Sequence, residues 1–341
     1  MQRKFELGAL AAGLVALVLL GRRFGVSELG AALQQLAPRY LLVYLAFGIT
    51  ARLGYALRWR VVAATLGATP ALPRFIAARL AGDATGFLLP TGRISGDPLR
   101  IGLVYGDGVS GSQASAGVAI DRIIELIANM LCAMAYVTVF SLSRGTGGSR
   151  PAVMLIVTMC LLLGGLAIPL GMMRRGRRPL GPLYRLIPIV ARHDSGRWMT
   201  AWSGVLERTE AHIMRFLQEH PGVFIQGLVG SLVIEGLIIC EYHFLFVAFG
   251  LILDLPTVLM TLLASGLSRA VPSPAGLGAL EAGQVTVLAA AAGNPALGFV
   301  VGLVLRLHET LWTGVGLMAL SLHRVGWARL RSALSVGGSA P

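Results

Sequence analysis

The chain of 341 residues is 55% hydrophobic and only 13% charged, with a mean hydropathy of +0.73. A soluble domain carries about 25% charged residues, so this balance excludes one and points to an all-α protein that crosses a membrane several times. The net charge of +13 is almost all arginine, with Lys4 the only lysine; without a soluble basic domain, nucleic acid is not an expected partner, and the basic residues read as loops facing anionic lipid.

In chain order, Arg3 and Lys4 precede an apolar run from Leu7 to Leu20. Arg22 and Arg23 follow with no small-x-small cleavage pattern, so a retained first helix is expected over about 5–21, within an N-terminal helix and loop of 1–39. A second helix over about 40–57 carries Arg52 inside it and ends at Arg58-Trp59-Arg60, where an aromatic and two cations suit the headgroup level. Residues 72–89 are amphiphilic, with Arg74, Arg79 and Asp83. Then Leu88 to Arg100 reads Leu-Leu-Pro-Thr-Gly-Arg-Ile-Ser-Gly-Asp-Pro-Leu-Arg. Pro90, Gly92, Gly96 and Pro98 break any helix there, while Arg93, Asp97 and Arg100 put charge in the break. Such a segment is tolerated at membrane depth only where it is buried in protein or lines a wet cavity. The expectation is a re-entrant pair of half-helices over 72–110, inside a first unit of 40–142.

The next helix covers about 113–141. Asp121, Glu125 and Asn129 recur at i, i+4 and i+8, forming one polar stripe that should face the interior. A charge-free linking span follows within 143–173. Arg174, Arg175, Arg177 and Arg178 open a basic loop over 174–221, which the positive-inside rule places in the cytoplasm. Trp198, Trp202, Val205 and Phe216 recur there at helical spacing. They suggest an amphipathic helix starting near Asp194 or Ser195, lying in the interface or packed on the membrane domain. A second unit over 222–321 begins with a span carrying Glu235, Glu241 and His243. An apolar run from Leu255 to Ser268 ends at Arg269, and a second break, Val-Pro-Ser-Pro-Ala-Gly-Leu-Gly-Ala-Leu-Glu, covers 271–281. The chain recovers over 282–292, giving a second re-entrant segment over 255–292. It turns at Gly293-Asn294-Pro295 and makes a last span over about 297–321, with Arg306, His308 and Glu309. The tail 322–341, with Arg324, Arg329 and Arg331, is expected in the cytoplasm of a cell whose inner membrane holds the protein. Cys132, Cys160 and Cys240 fall in apolar runs without metal spacing and read as small packing residues.

The two breaks resemble each other. Pro90 precedes Gly96 by six residues, as Pro272 precedes Gly278, and a charged side chain follows each break, Arg100 in one and Glu281 in the other. With the loop at 174–221 inside, the first break dips in from the cytoplasm and the second from outside. The fold expected is therefore about six full crossings plus two re-entrant hairpins in an inverted repeat, with both hairpin tips near the midplane.

These residues carry a family resemblance. Arg58-Trp59; Pro90, Gly92, Gly96 and Arg100; Arg122; Pro272, Pro274, Gly276, Gly278 and Glu281; and Arg306, in that order, cover about residues 40–320. The chain resembles the flippase-like family typified by the transmembrane region of lysylphosphatidylglycerol synthase. It departs from that pattern where Gly96-Asp97-Pro98 replaces a Gly-Glu before the arginine, keeping the carboxylate on a shorter side chain. The chain ends soon after its last expected helix, so the soluble aminoacyl-transferring domain of the bifunctional synthases is not expected. The resemblance therefore implies lipid translocation or binding in the plasma membrane, without lipid aminoacylation. The resemblance does not carry over the cargo; the expected partners are membrane lipids, anionic ones on the strength of the arginines, and enzymes of lipid biosynthesis.

The residue chemistry fits that implication. A lipid crossing a bilayer keeps its tails in hydrocarbon, and the cost lies in moving the headgroup. Arginine holds a phosphate through two charge-assisted hydrogen bonds. Arg93, Arg100 and Arg306 are thus the expected headgroup contacts. Asp97, Glu281, Asp121 and Glu125 would balance them or take up a proton. Pro90, Gly92, Gly96, Pro272, Pro274, Gly276 and Gly278 would hold the backbone open for close approach. Structural roles stand beside these: a rim cluster for Arg93 and Arg100, i, i+3 pairs for Arg122–Glu125 and Arg306–Glu309, and packing or rim roles for Glu235, Glu241 and His243. Rival functions are an intramembrane lipid-phosphate transferase using Asp97 or Asp121, a small-solute secondary transporter using the Asp121 stripe, and a scaffold in a lipid-synthesis complex. His308-Glu309 begins like a zinc-protease helix, but position 312 is Trp. No nucleophile elbow and no nucleotide-binding loop appears, so no catalytic residue, metal or cofactor is expected.

Overall fold

The computed structural model describes Gln34 and residues 36–68, 70–89, 95–106, 108–145, 149–179, 196–269, 271 and 276–322, with the backbone alone for 196–203. The expected first helix, the C-terminal tail, residues 180–195, Pro90, Gly92, Arg93, Pro272 and Pro274 lie outside the described residues.

Ten helices are described. They are α1 (Pro38–Thr65), α2 (Leu72–Leu88), α3 (Asp97–Val104), α4 (Gly111–Ser143), α5 (Arg150–Arg174), α6 (Gly196–Glu219), α7 (Pro221–Ala248), α8 (Leu255–Ser268), α9 (Ala279–Ala292) and α10 (Pro295–Leu322). Five of them, α1, α4, α5, α7 and α10, are long and apolar enough to cross a membrane. α5 turns almost its whole surface outward, with Leu161 and Met154 exposed, as a lipid-facing helix must. The chain is an integral membrane protein.

The order of elements repeats. α1, α2, α3 and α4 run long, short, short, long, and so do α7, α8, α9 and α10. A proline opens α1 and α7 (Pro38, Pro221), and Leu-Pro opens α2 and α8 at the same distance further on (Leu72-Pro73, Leu255-Pro256). At 1.5 Å per residue, α8 and α9 are each about 21 Å long, too short to cross a hydrocarbon core of about 30 Å. Packing is exchanged between the units: α1 lies against α7, α2 against α10, and α8 against α4. The largest apolar cluster spans both units, from Tyr44 and Tyr136 to Leu262, Leu288 and Val301.

Two local expectations change. Arg58-Trp59 is no headgroup-level belt: α1 runs on to Thr65, and both side chains are buried. The helix in the basic loop starts at Gly196, and Ile213, Phe216 and Leu217 bury themselves against Ala116, Ile120, Ile124 and Met173. Of the two placements weighed for it, packing on the membrane domain is the one observed.

Candidate functional site

The first break is fixed by a network of ion pairs. Asp121, on α4, is fully buried and meets three arginines from three elements. Arg58 of α1 donates from Nε to its Oδ1 at 2.9 Å, and Arg79 of α2 donates to Oδ2 at 3.1 Å. Arg100 of α3 donates to Oδ2 at 2.6 Å, with its guanidinium 4.3 Å from the Trp59 ring centre. Arg79 also reaches both oxygens of Glu125, at 3.1 and 3.0 Å, and Asp83 at 3.0 Å. Arg122 grips Asp97, at the N-terminus of α3, and pairs with Glu125 at 3.4 Å. Four arginines thus face four carboxylates, Asp83, Asp97, Asp121 and Glu125. A buried charge set of this kind persists only when paired and hydrogen-bonded. Glycine makes the geometry possible: a Cβ on Gly96 would lie 1.9 Å from the Gly82 carbonyl oxygen, so the two backbones touch and Arg100 is drawn in toward Asp121.

The second break repeats one part of this. Arg306 of α10 donates to Glu281, in the first turn of α9, at 2.9 to 3.2 Å, and pairs with Glu309 at 3.3 Å. Glu281 also accepts from the Gly278 backbone N–H at 3.0 Å. Each break therefore has the same latch: an acid opening the returning half-helix, an arginine on the next long helix, and a glutamate three residues beyond it. The correspondence is Asp97 with Glu281, Arg122 with Arg306 and Glu125 with Glu309; the carboxylates paired with Arg100 are Asp121 and Asp97, not Glu281.

Two adjoining cavities lie between the units. The larger, ≈ 320 Å³, is lined by charged and polar side chains, among them Arg52, Arg79, Asp83, Asn129, Glu235 and Arg269, and by apolar ones, among them Leu126, Met130, Met159 and Leu162. The smaller, ≈ 110 Å³, reaches from Phe87 and Leu89 at the first break to Val271 and Gly276 at the second. Arg52, Asp83, Arg269 and His308 line both and form the waist between them. Arg269, at the C-cap of α8, donates from Nε to the Ser265 carbonyl at 3.1 Å, and among the described residues no carboxylate lies within ion-pair distance of it. Arg52 donates from Nη1 to both oxygens of Glu241, at 3.0 and 3.2 Å, and stacks 3.5 Å over Trp312. His308 Nδ1 is 2.9 Å from the Tyr44 hydroxyl and 3.7 Å from Glu241 Oε1.

The residues expected at the headgroup are distributed unevenly. Arg100, Asp121, Glu125 and Glu281 are inside protein, and neither cavity is lined by them. Arg306 and Asp97 are largely buried in their latches. Asn129 does reach the larger cavity, and Gly276 lines the smaller. The cavity wall is instead made by Arg52, Glu235, Glu241, Arg269 and His308. One signal could have marked them beforehand, since an ionisable side chain within an apolar span is a site candidate by default.

Comparison with known proteins gives one match. A family model described as "Lysylphosphatidylglycerol synthase TM region" covers residues 7–316. No curated protein and no solved structure matches the chain.

Proposed function

The chain belongs to the lysylphosphatidylglycerol synthase TM-region family, and from that premise we propose that it translocates a membrane lipid with a polar, phosphate-bearing headgroup. The observation that carries this is the larger cavity, whose lining combines Arg52 and Arg269 with Leu126, Met130, Met159 and Leu162, and in which Arg269 has no carboxylate within ion-pair distance among the described residues. A headgroup would meet the charged side chains of the lining while its tails lie along Leu126, Met130, Met159 and Leu162. Arg269 and Arg52 supply the phosphate contacts. Arg100 and Arg306 act behind them, fixing the two breaks, and Asp97, Asp121, Glu125 and Glu281 balance those arginines. In this reading the half-helix pairs α2–α3 and α8–α9 are re-entrant hairpins of an inverted repeat, which the exchanged packing of the two units supports. The loop at 174–221 and the C-terminus then face the cytoplasm of a bacterial inner membrane.

The test is leaflet-resolved lipid movement in proteoliposomes, read by quenching of a tail-labelled phosphatidylglycerol. The wild-type protein is expected to equilibrate the label between leaflets. Arg269→Ala is expected to slow it about tenfold or more, the worth of one charge-assisted contact. Wild-type vesicles no faster than protein-free ones would refute the reading. Release of a product from a labelled lipid-phosphate donor would favour the transferase instead.

A further inference from the structure

The waist between the cavities holds a group the lipid reading leaves idle. Glu241 and His308 are buried, on α7 and α10, and both line the larger cavity. The Tyr44 hydroxyl, at 2.9 Å, and Glu241 Oε1, at 3.7 Å, both face His308 Nδ1, and Glu241 holds Arg52 through both carboxylate oxygens. The site is built to shape. A Cβ on Gly48 would lie 2.4 Å from Glu241 Oε1 and 2.8 Å from the Trp312 ring, so only glycine leaves room for the carboxylate and the indole together.

We propose that this Tyr44–His308–Glu241 cluster is a proton-binding site that couples proton movement to headgroup movement; the inference rests on the lipid-translocation reading above. Among the described residues, Glu241 is the only carboxylate within ion-pair distance of Arg52. The other charged groups lining the two cavities are Arg79 and Asp83 from α2, Glu235 from α7, which accepts from the Tyr136 hydroxyl, Arg269 from α8 and Glu309 from α10. Asp83 pairs with Arg79 and Glu309 with Arg306, so Glu241 is the carboxylate whose charge decides the state of Arg52. Tyr242, on α7 itself, covers His308 edge-on with ring centres 5.2 Å apart.

The step is a simple proton transfer. A hydronium ion from one aqueous compartment gives its proton to a Glu241 oxygen, directly or through His308. One O–H bond forms, water leaves, and the Arg52 guanidinium keeps all its protons. Arg52 is then a cation in a low-dielectric wall without its anion, and a lipid phosphate becomes its best available partner. When the phosphate leaves, Glu241 gives up the proton and recaptures Arg52. One proton is thus exchanged per phosphate bound, and the buried charge at Arg52 stays balanced throughout.

Coupling has a thermodynamic readout that passive scrambling lacks. In proteoliposomes with an imposed pH difference, tail-labelled phosphatidylglycerol should settle unequally between leaflets, approaching about tenfold per pH unit for one proton per lipid. A trapped pH dye should report proton movement that depends on added lipid. Glu241→Gln keeps one acceptor oxygen for Arg52 but cannot titrate; it should move lipid to a 1:1 distribution whatever the pH difference, and His308→Gln should weaken the asymmetry. Both variants are first checked for wild-type elution on a sizing column, and the wild-type result stands without them. If wild-type protein moves lipid but leaves it at 1:1 under a pH difference, the proton inference fails and the translocation reading survives. If folded Glu241→Gln keeps the full wild-type asymmetry, the inference fails at this residue. If wild-type protein moves no lipid, both fail.

Discussion

The two breaks share a latch and differ in what surrounds it. Around the first, Asp121 gathers Arg58, Arg79 and Arg100 into a dry knot of side chains from four helices. Around the second, Arg306 meets Glu281 and Glu309, Gln284 of α9 donates to the Thr261 carbonyl and the Ser265 hydroxyl of α8, and among the described residues Arg269 has no carboxylate within ion-pair distance. Where α4 carries Asp121 next to Arg122, α10 carries the buried Leu305 next to Arg306. Among the described residues, four arginines and four carboxylates tie the first break together, while the second has one arginine with two carboxylates and the bonds of Gln284. In the translocation proposal, the first break is the fixed side and the second the movable one.

Mutations sharpen that contrast in order of expected size. Asp121→Ala removes the acid shared by three buried arginines and should cost about 3–5 kcal/mol, read as loss of monodisperse protein or a large fall in melting temperature in detergent. Gly96→Ala drives a methyl into the Gly82 carbonyl and should cost about 2–4 kcal/mol in the same assay, because backbone must shift. Glu281→Gln loses the carboxylate of the second latch but keeps a hydrogen bond to Gly278, so about 1–3 kcal/mol is expected. Equal losses from Asp121→Ala and Glu281→Gln would break the comparison. Arg269→Ala should change melting by no more than about 0.5 kcal/mol, since among the described residues it breaks no close ion pair, while it slows lipid movement. Smallest is Asp254→Asn, which opens the part-exposed Arg144–Asp254 pair and should cost under about 1 kcal/mol, decreasing further in high salt.

Much of the fold is legible in the sequence. Long apolar runs locate the spans, and proline and glycine locate both breaks, because backbone groups in hydrocarbon leave few alternatives to helix. The candidate site is less legible. Arg100 stands in the break and looks like a ligand contact, yet Gly96 lets it sink beneath α2 to Asp121, a partner 21 residues away. Glu241 and His308 lie 67 residues apart and meet Tyr44 from a third helix, a long-range contact with no local pattern. The latch shows the middle case. Arg122–Glu125 and Arg306–Glu309 are visible as i, i+3 pairs, but only the packing of α3 on α4 and of α9 on α10 shows that Asp97 and Glu281 complete them.

Hydrogen exchange on the purified full-length protein, with and without added phosphatidylglycerol, tests the central contrast most directly. The denser ion-pair network of the first break predicts slow exchange at residues 97–104 in both conditions, and the sparser one of the second predicts faster exchange at residues 279–288 that lipid slows. Equal protection of the two segments, or protection by lipid confined to the first, would contradict the account.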